Sequence, residues 1–266
     1  MKQRKKFIGC LLSLAVLIVA GWWWNEHRHE TIREAINPFY WVRRWRGQDL
    51  YDPRTRVIYH GNRALKEIAL TIDDGPHEPT GRQLLDIFKS RGIHATFFVV
   101  GMRMKEQPDL LRRMIAEGHE VGDHTQNHRH LDGLTAEQVQ REMLWNDINF
   151  NRITGRHFNL FRPPGMRYDD NVLAVSKRRG YVMVSWNSAA RDFENVSADF
   201  IYRRVMDRVE NGSIILLHDD NPNTVEAMPR LLDSLRARGY RFVTISEMLA
   251  HLPVQVTPGK SGMNTH

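Results

Sequence analysis

The chain has 266 residues, 41% of them hydrophobic, enough to bury the core of one large domain. Its net charge of +7 is carried by residues 1–63, with 12 Lys/Arg against 5 Asp/Glu, whereas residues 64–266 hold 26 of each. A nucleic-acid partner for the main domain thereby loses its chief electrostatic support, and the single cysteine, Cys10, excludes an internal disulfide.

Lys2, Arg4, Lys5 and Lys6 precede an uncharged run from Phe7 to Trp24. As a helix this run measures about 27 Å, near the thickness of a bilayer core. Trp22, Trp23 and Trp24 fall where an interfacial aromatic belt belongs. Residues 1–24 therefore read as a signal-anchor or transmembrane segment, with a cleaved signal peptide as the rival; no Ala-x-Ala site precedes the tryptophans. The basic tail orients inside, which leaves a single-pass protein of the cell membrane with its domain extracytoplasmic, or secreted if the segment is cleaved. Residues 25–55 mix charged and aromatic residues and form a juxtamembrane linker, either a helix lying on anionic headgroups or a solvated one.

Residues 56–252 form the main domain, in which short apolar runs alternate with amphipathic stretches. Strands are expected at 67–72, 95–100, 119–124, 157–162, 181–186, 213–218 and 241–246. Helical patterns lie between them at 81–92, 108–118, 135–155, 198–212 and 224–239, and several end in glycine, the usual helix stop. Such alternation predicts a parallel sheet covered by helices. Seven units favour an α/β barrel, and no Gly-rich dinucleotide fingerprint follows the first strand. Residues 253–266 lack apolar periodicity and read as a disordered tail.

In such barrels function gathers at the carboxyl ends of the strands. The first strand ends in Asp73 and Asp74, adjacent like charges that repel unless a cation or proton is shared between them. The third ends in "GDHTQNH", where His124 and His128 share a face if the segment makes a helical turn. Arg162 follows the fourth strand, Asp192 the fifth, and His218 closes the sixth. One Asp with two His leaves open positions on a zinc-like ion, the pattern of a catalytic site. The second Asp is then free to take a proton from water at the metal, with Arg162 holding it ionised.

The segments "TIDDGP", "HTQNH", "RPPG", "RDF" and "LLH", in this order, resemble the five motifs of the NodB-like polysaccharide deacetylases, carbohydrate esterase family four. The resemblance covers about residues 56–250. It implies a distorted (β/α) barrel of seven to eight units and metal-dependent removal of N-acetyl groups from an N-acetylglucosamine-type polysaccharide: peptidoglycan, a chitin-like oligomer or an exopolysaccharide. By motif, Asp73 resembles the general base and Asp74, His124 and His128 the metal ligands. Arg162 supports the base, and His218 is the general acid with Asp192 as its partner. Leu216 lines the acetyl-methyl pocket, and the backbone N–H just after Pro164 meets the oxyanion. The metal is a divalent ion, zinc in the first place, with cobalt, nickel or manganese as alternatives.

Departures from the family pattern fall on Gly165 and Phe193, where relatives carry an aromatic and a tryptophan. They also fall on Ile72 for a common Phe and on Ala189 for an additional Asp. Gly165 and Phe193 lie along the sugar groove, so these changes bear on sugar preference more than on proton transfer. Two other readings stand beside deacetylation of such a polymer: a membrane-anchored carbohydrate-binding protein without turnover, and a relative acting on a different amide. Oligomeric state has no signature in the sequence.

Overall fold

The computed structural model describes residues 50–253, apart from Asn195. The expected membrane segment at 1–24, most of the linker at 25–55 and nearly all of the tail at 253–266 lie outside the described residues. Among the described residues no helix is long and apolar enough to cross a membrane.

A short antiparallel hairpin, β1 (Tyr51–Asp52) and β2 (Val57–Ile58), opens the described domain. β3 (Glu67–Asp73) is buried along its whole length, as expected of a near-continuous apolar run covered on both faces. α1 (Thr80–Arg91) follows and stops at Gly92, whose φ of 59° is the left-handed conformation that ends helices. Then come β4 (Thr96–Val99), α2 (Gly101–Glu106), α3 (Pro108–Ala116) and β5 (Glu120–Asp123). The long α4 (Ala136–Thr154) begins in a capping box between Thr135 and Gln138. β6 (Leu160–Phe161), α5 (Asp170–Arg178), β7 (Val182–Val184) and β8 (Ser188–Ala189) lead to α6 (Ala198–Met206) and β9 (Ser213–His218). The chain closes with α7 (Pro222–Ala237), β10 (Arg241–Phe242) and α8 (Ile245–Ala250).

The strands form one sheet in the order β1-β2-β7-β6-β5-β4-β3-β9-β8, with β10 beside the start of β3. All pairings but β1 with β2 are parallel. Connectivity forces this sheet to curl. β7 and β8 are six strand spacings apart along the path, about 29 Å if flat, yet only Ser185, Trp186 and Asn187 join them. Those three residues reach at most about 14 Å. Among the described residues no ladder closes β8 onto β7, β2 or β1, so the expected barrel is a curled half-barrel, open along one seam.

Strand parity sorts the core. Ile68, Leu70 and Ile72 of β3 face the helices in the larger apolar cluster, and Ala69 faces the inside of the curl in the smaller one. Asp73 shares the parity of Ala69, and His218 that of Ile214, so the alternation carries both polar side chains to the inner face. Val243, Ile245 and Met248 pack in the same inner cluster and plug the base of the curl. This corrects the expected strand at 241–246, which ends at Phe242. Thr244 and Glu247 cap each other's backbone N–H groups and start α8 instead.

Candidate active site

Asp73 is the last residue of β3, and Asp74 turns away from it in a left-handed conformation, φ 76°. That reversal sends two adjacent carboxylates to different partners. Asp73 Oδ1 accepts a hydrogen bond of 2.7 Å from Arg162 Nη1. Arg162 is fully buried, and its guanidinium also donates to Thr71 Oγ1 at 2.8 Å, Val184 O at 3.0 Å and Ser185 O at 3.2 Å. The guanidinium lies 4.2 Å from the centre of the Phe98 ring and 5.4 Å from that of Trp186. Arg162 thus crosses the interior of the curl from β6 to β3 and fixes the carboxylate it meets there.

His124 and His128 converge, with ring centres 5.0 Å apart, but not through the helical turn expected from their spacing. Residues 124–128 are a loop in which Thr125 and His128 take φ of 69° and 53°. The buried Asp123 carboxylate accepts the Thr125 N–H at 2.7 Å and the Asn146 amide at 2.6 Å, which pins the loop to α4. His124 Nδ1 lies 2.7 Å from Arg162 O; a carbonyl only accepts, so Nδ1 carries the proton and Nε2 presents a lone pair. That lone pair faces Asp74 Oδ1 at 3.3 Å, and His128 Nε2 lies 2.9 Å from the same oxygen.

Asp74 Oδ1 is buried with no hydrogen-bond partner among the described residues, although two imidazoles face it. A lone pair set against a carboxylate oxygen calls for a cation between them. The three donor atoms lie within 4.8 Å of one another, and one carboxylate with two imidazoles suits zinc and its neighbours in the first transition row. The residues present therefore fit a divalent metal.

On the other side of the mouth, His218 ends β9 next to Asp73 in register. Its Nδ1 lies 2.8 Å from Asp192 Oδ1, and its backbone N–H donates to Asp192 Oδ2 at 2.7 Å. Asp192 is fully buried; Thr224 Oγ1 also donates to its Oδ2 at 2.7 Å, and Asn221 holds its backbone carbonyl. Burial alone would lower the His218 imidazole. The hydrogen bond and charge of Asp192, then the fields of Asp73 and Asp74, outweigh burial and raise it to about 9.

The groove residues fall around these groups. The exposed Phe193 ring stands edge-on to His218, centroids 5.8 Å apart. Leu216 is buried on β9, paired with Thr71 on one side and Ala189 on the other. The Ala189 carbonyl accepts from Arg204 Nε at 3.0 Å. Beyond Pro164 the backbone is left-handed at both Gly165 and Met166, φ 62° and 52°. In this turn the N–H groups of Met166 and Arg167 bond the carbonyls of Pro163 and Pro164. The structure thus brings Asp73, Asp74, His124, His128, Arg162, Asp192 and His218 to one mouth, with Phe193 against His218.

Residues that act behind them were not expected. Thr71 and Trp186 hold Arg162, Arg103 Nη1 donates to Asp74 O at 2.7 Å, and Asn221 and Thr224 anchor Asp192. Asp219, next to His218, is fully buried, and burial pushes its carboxyl up to about 8 against the pull of Arg103. Its one signal was position, directly after a strand-end histidine.

A triad of candidate metal donors opposite a carboxylate held by arginine and an imidazole held by aspartate, all on a curled parallel sheet, is an arrangement that suits a metal-dependent hydrolase. A family model described as polysaccharide deacetylase matches residues 60–184. A peptidoglycan-N-acetylglucosamine deacetylase of Bacillus cereus is 37% identical over 191 residues, covering 70% of this chain and 89% of the relative. The peptidoglycan-N-acetylmuramic acid deacetylase PdaA of Bacillus subtilis is 34% identical over 197 residues, 73% of this chain and 75% of the relative. The crystal structure of the Bc1960 peptidoglycan N-acetylglucosamine deacetylase superposes with a TM-score of 0.71 at 29% identity, covering 80% of this chain and 96% of that one. The chain belongs to the polysaccharide deacetylase family, hydrolases of the N-acetyl amide bonds of polysaccharides.

Proposed function

We propose that this protein removes N-acetyl groups from an N-acetylglucosamine-type polysaccharide, with peptidoglycan as the first candidate, outside a cell membrane to which residues 1–24 anchor it. One observation carries the chemistry: adjacent carboxylates are divided between two tasks, Asp73 paired with Arg162 and Asp74 turned toward two imidazoles. The relatives named for peptidoglycan support the polymer. The apolar run at Phe7–Trp24 behind a basic tail supports the anchor.

Asp74, His124 and His128 would hold the divalent metal, zinc being our choice among zinc, cobalt, nickel and manganese. When bound, that ion supplies Lewis-acid activation of a water and of the acetyl carbonyl. Asp73 takes the proton from the attacking water, and Arg162 keeps it ionised and aimed. The Gly165 N–H, just beyond Pro164, donates to the oxygen that gains charge as the carbonyl carbon becomes tetrahedral. His218, an imidazolium through neutral pH, gives its proton to the departing amine as the carbon–nitrogen bond breaks, and acetate is left. Asp192 orients that imidazole and stabilises its charge. Leu216 packs against the acetyl methyl, while Phe193 and Gly165 border the sugar.

The test is acetate release by the purified full chain from N-acetylglucosamine oligomers and from peptidoglycan, after chelation and after adding back each metal. Acetate restored by metal establishes turnover. No acetate from a folded, metal-loaded protein overturns this reading in favour of carbohydrate binding alone. PdaA is named for N-acetylmuramic acid, which supports a second reading in which the neighbouring sugar of the same polymer loses its acetyl group. Analysis of which sugar in digested peptidoglycan carries the free amine decides between them.

A further inference from the structure

Asp219 is a buried acid that the mechanism above does not use. Its Oδ2 accepts the His77 backbone N–H at 3.0 Å, and its own N–H reaches Asp73 O at 3.3 Å. Oδ1 is buried with no hydrogen-bond partner among the described residues. The carboxylate fills the space beneath the turn that follows Asp74. A Cβ added at Gly75 would collide with Asp219 Oδ2, and one at Gly81 would come within 3.1 Å of the same atom. Glycine at 75 is therefore required for space, since the segment closes down onto this one side chain.

The same turn is held from above. Arg103 Nη1 donates to Asp74 O, and Val100 N donates to Gly75 O at 2.8 Å. Asp74 sits between these clamps at φ 76°, a conformation that a non-glycine residue keeps only when its surroundings hold it. Without that φ, Asp74 would follow the extended course of β3 and its carboxylate would leave the two imidazoles.

We propose that Asp219 is a positioning residue for the metal site, holding the Gly75–His77 backbone so that Asp74 keeps its carboxylate against His124 and His128. The inference rests on the metal-site reading given under Proposed function. Asp219 touches neither substrate nor metal in this account; it acts through the main chain, as a support behind the ligands does elsewhere.

The experiment measures zinc affinity of the stripped full chain by competition with a chromophoric chelator, alongside thermal unfolding of the metal-free protein. Asp219→Ala is expected to weaken zinc binding by about 10–100-fold, the range for loss of a support behind a ligand. Asp219→Asn, which keeps the shape and an acceptor for the His77 N–H, is expected to restore most of that loss. Gly75→Ala should weaken binding in the native background and cost less in the Asp219→Ala background, because the oxygen it strikes is gone.

Native affinity in Asp219→Ala, or a Gly75→Ala loss that adds in full to it, overturns the proposal. If Asp219→Ala does not fold, Gly75→Ala decides: weaker zinc with unchanged metal-free unfolding supports the proposal, and unchanged zinc overturns it. His128→Ala separates the two readings. Zinc bound as tightly by His128→Ala as by the native chain places the metal elsewhere and removes the Proposed function itself.

Discussion

Asp74, Thr125 and His128 all take left-handed backbone on the metal side of the mouth, whereas His218 on the acid side ends a regular six-residue strand. Among the described residues near the acid, Arg191, just before Asp192, is left-handed. The metal side places its donors by bending short loops against buried supports. The acid side places its imidazole by hydrogen bonds: the Asp192 carboxylate accepts the His218 backbone N–H and faces its Nδ1, and Thr224 donates a further bond to the same carboxylate. A donor carried on a bent loop has no substitute, so its removal is expected to abolish the site. A hydrogen-bonded side chain degrades in steps.

The largest effects therefore belong on the metal side. Asp74→Ala and His128→Ala should each leave a folded protein that retains no zinc after dialysis and releases no acetate. Metal analysis and an acetate assay check this. Asp73→Asn should break the comparison if the two carboxylates share one task. We expect metal content to survive while kcat/KM falls by about 10²–10⁴-fold, the range for a lost general base.

Next comes the arginine that spans the curl. Arg162→Met leaves the Asp73 carboxylate buried without its partner, a change that costs about 3–5 kcal/mol. Denaturant unfolding of the metal-free chain measures it. Adding Asp73→Asn to Arg162→Met should recover part of that stability, because the stranded charge is removed. A double variant no more stable than the single one would show that the arginine serves packing against Phe98 and Trp186 instead.

Much of this was readable from residues alone, for reasons tied to particular elements. β3 and β9 are long, apolar and covered on both faces, so their ends were legible and Asp73 and His218 were placed at the mouth. The two-residue strands β1, β2 and β8 exist only because neighbours offer a free edge, and no local pattern marks them. At the base, "TISE" carries a capping box, yet the apolar alternation before it favoured a strand. Tertiary packing of Ile245 and Met248 into the inner cluster decided for helix. The His-x-x-x-His spacing at 124–128 fits a helical turn but does not decide for one, because the course of this loop depends on Asp123 and Asn146, 23 residues apart. Arg162's partners lie on β3 and β7, which only the curl brings together.

The acid side yields the pH dependence. In the proposed reaction His218 must be protonated to donate to the leaving amine, and its pKa of about 9 in the folded protein keeps it so through neutral pH. The rate should fall as pH rises through about 9. Because the folded value lies above the ordinary 6.5, this group's stabilising contribution is complete below 6.5 and is lost as pH climbs from there through about 9. Asp192→Asn removes the charge that raises the imidazole, so the alkaline limb of kcat/KM should move to lower pH and stability should lose that pH dependence. A limb that stays in place assigns it to a group other than His218.

The smallest change tests whether the acid side degrades in steps. Thr224→Val deletes one donor to Asp192 Oδ2 but leaves the His218 N–H on that oxygen and the imidazole on Oδ1. The loss of one such hydrogen bond to a charged group is worth about 1.5–3 kcal/mol of stability, with the shape of the residue kept. Asp192 would still be held at its main chain by Asn221, so its carboxylate should stay beside the imidazole. We therefore expect the alkaline limb of Thr224→Val to stay near the native one and kcat/KM to fall far less than in Asp192→Asn. If Thr224→Val instead loses as much activity as Asp192→Asn, the carboxylate hangs on a single contact. The acid would then be as brittle as the metal loop, and the contrast between the two sides of the mouth would not hold.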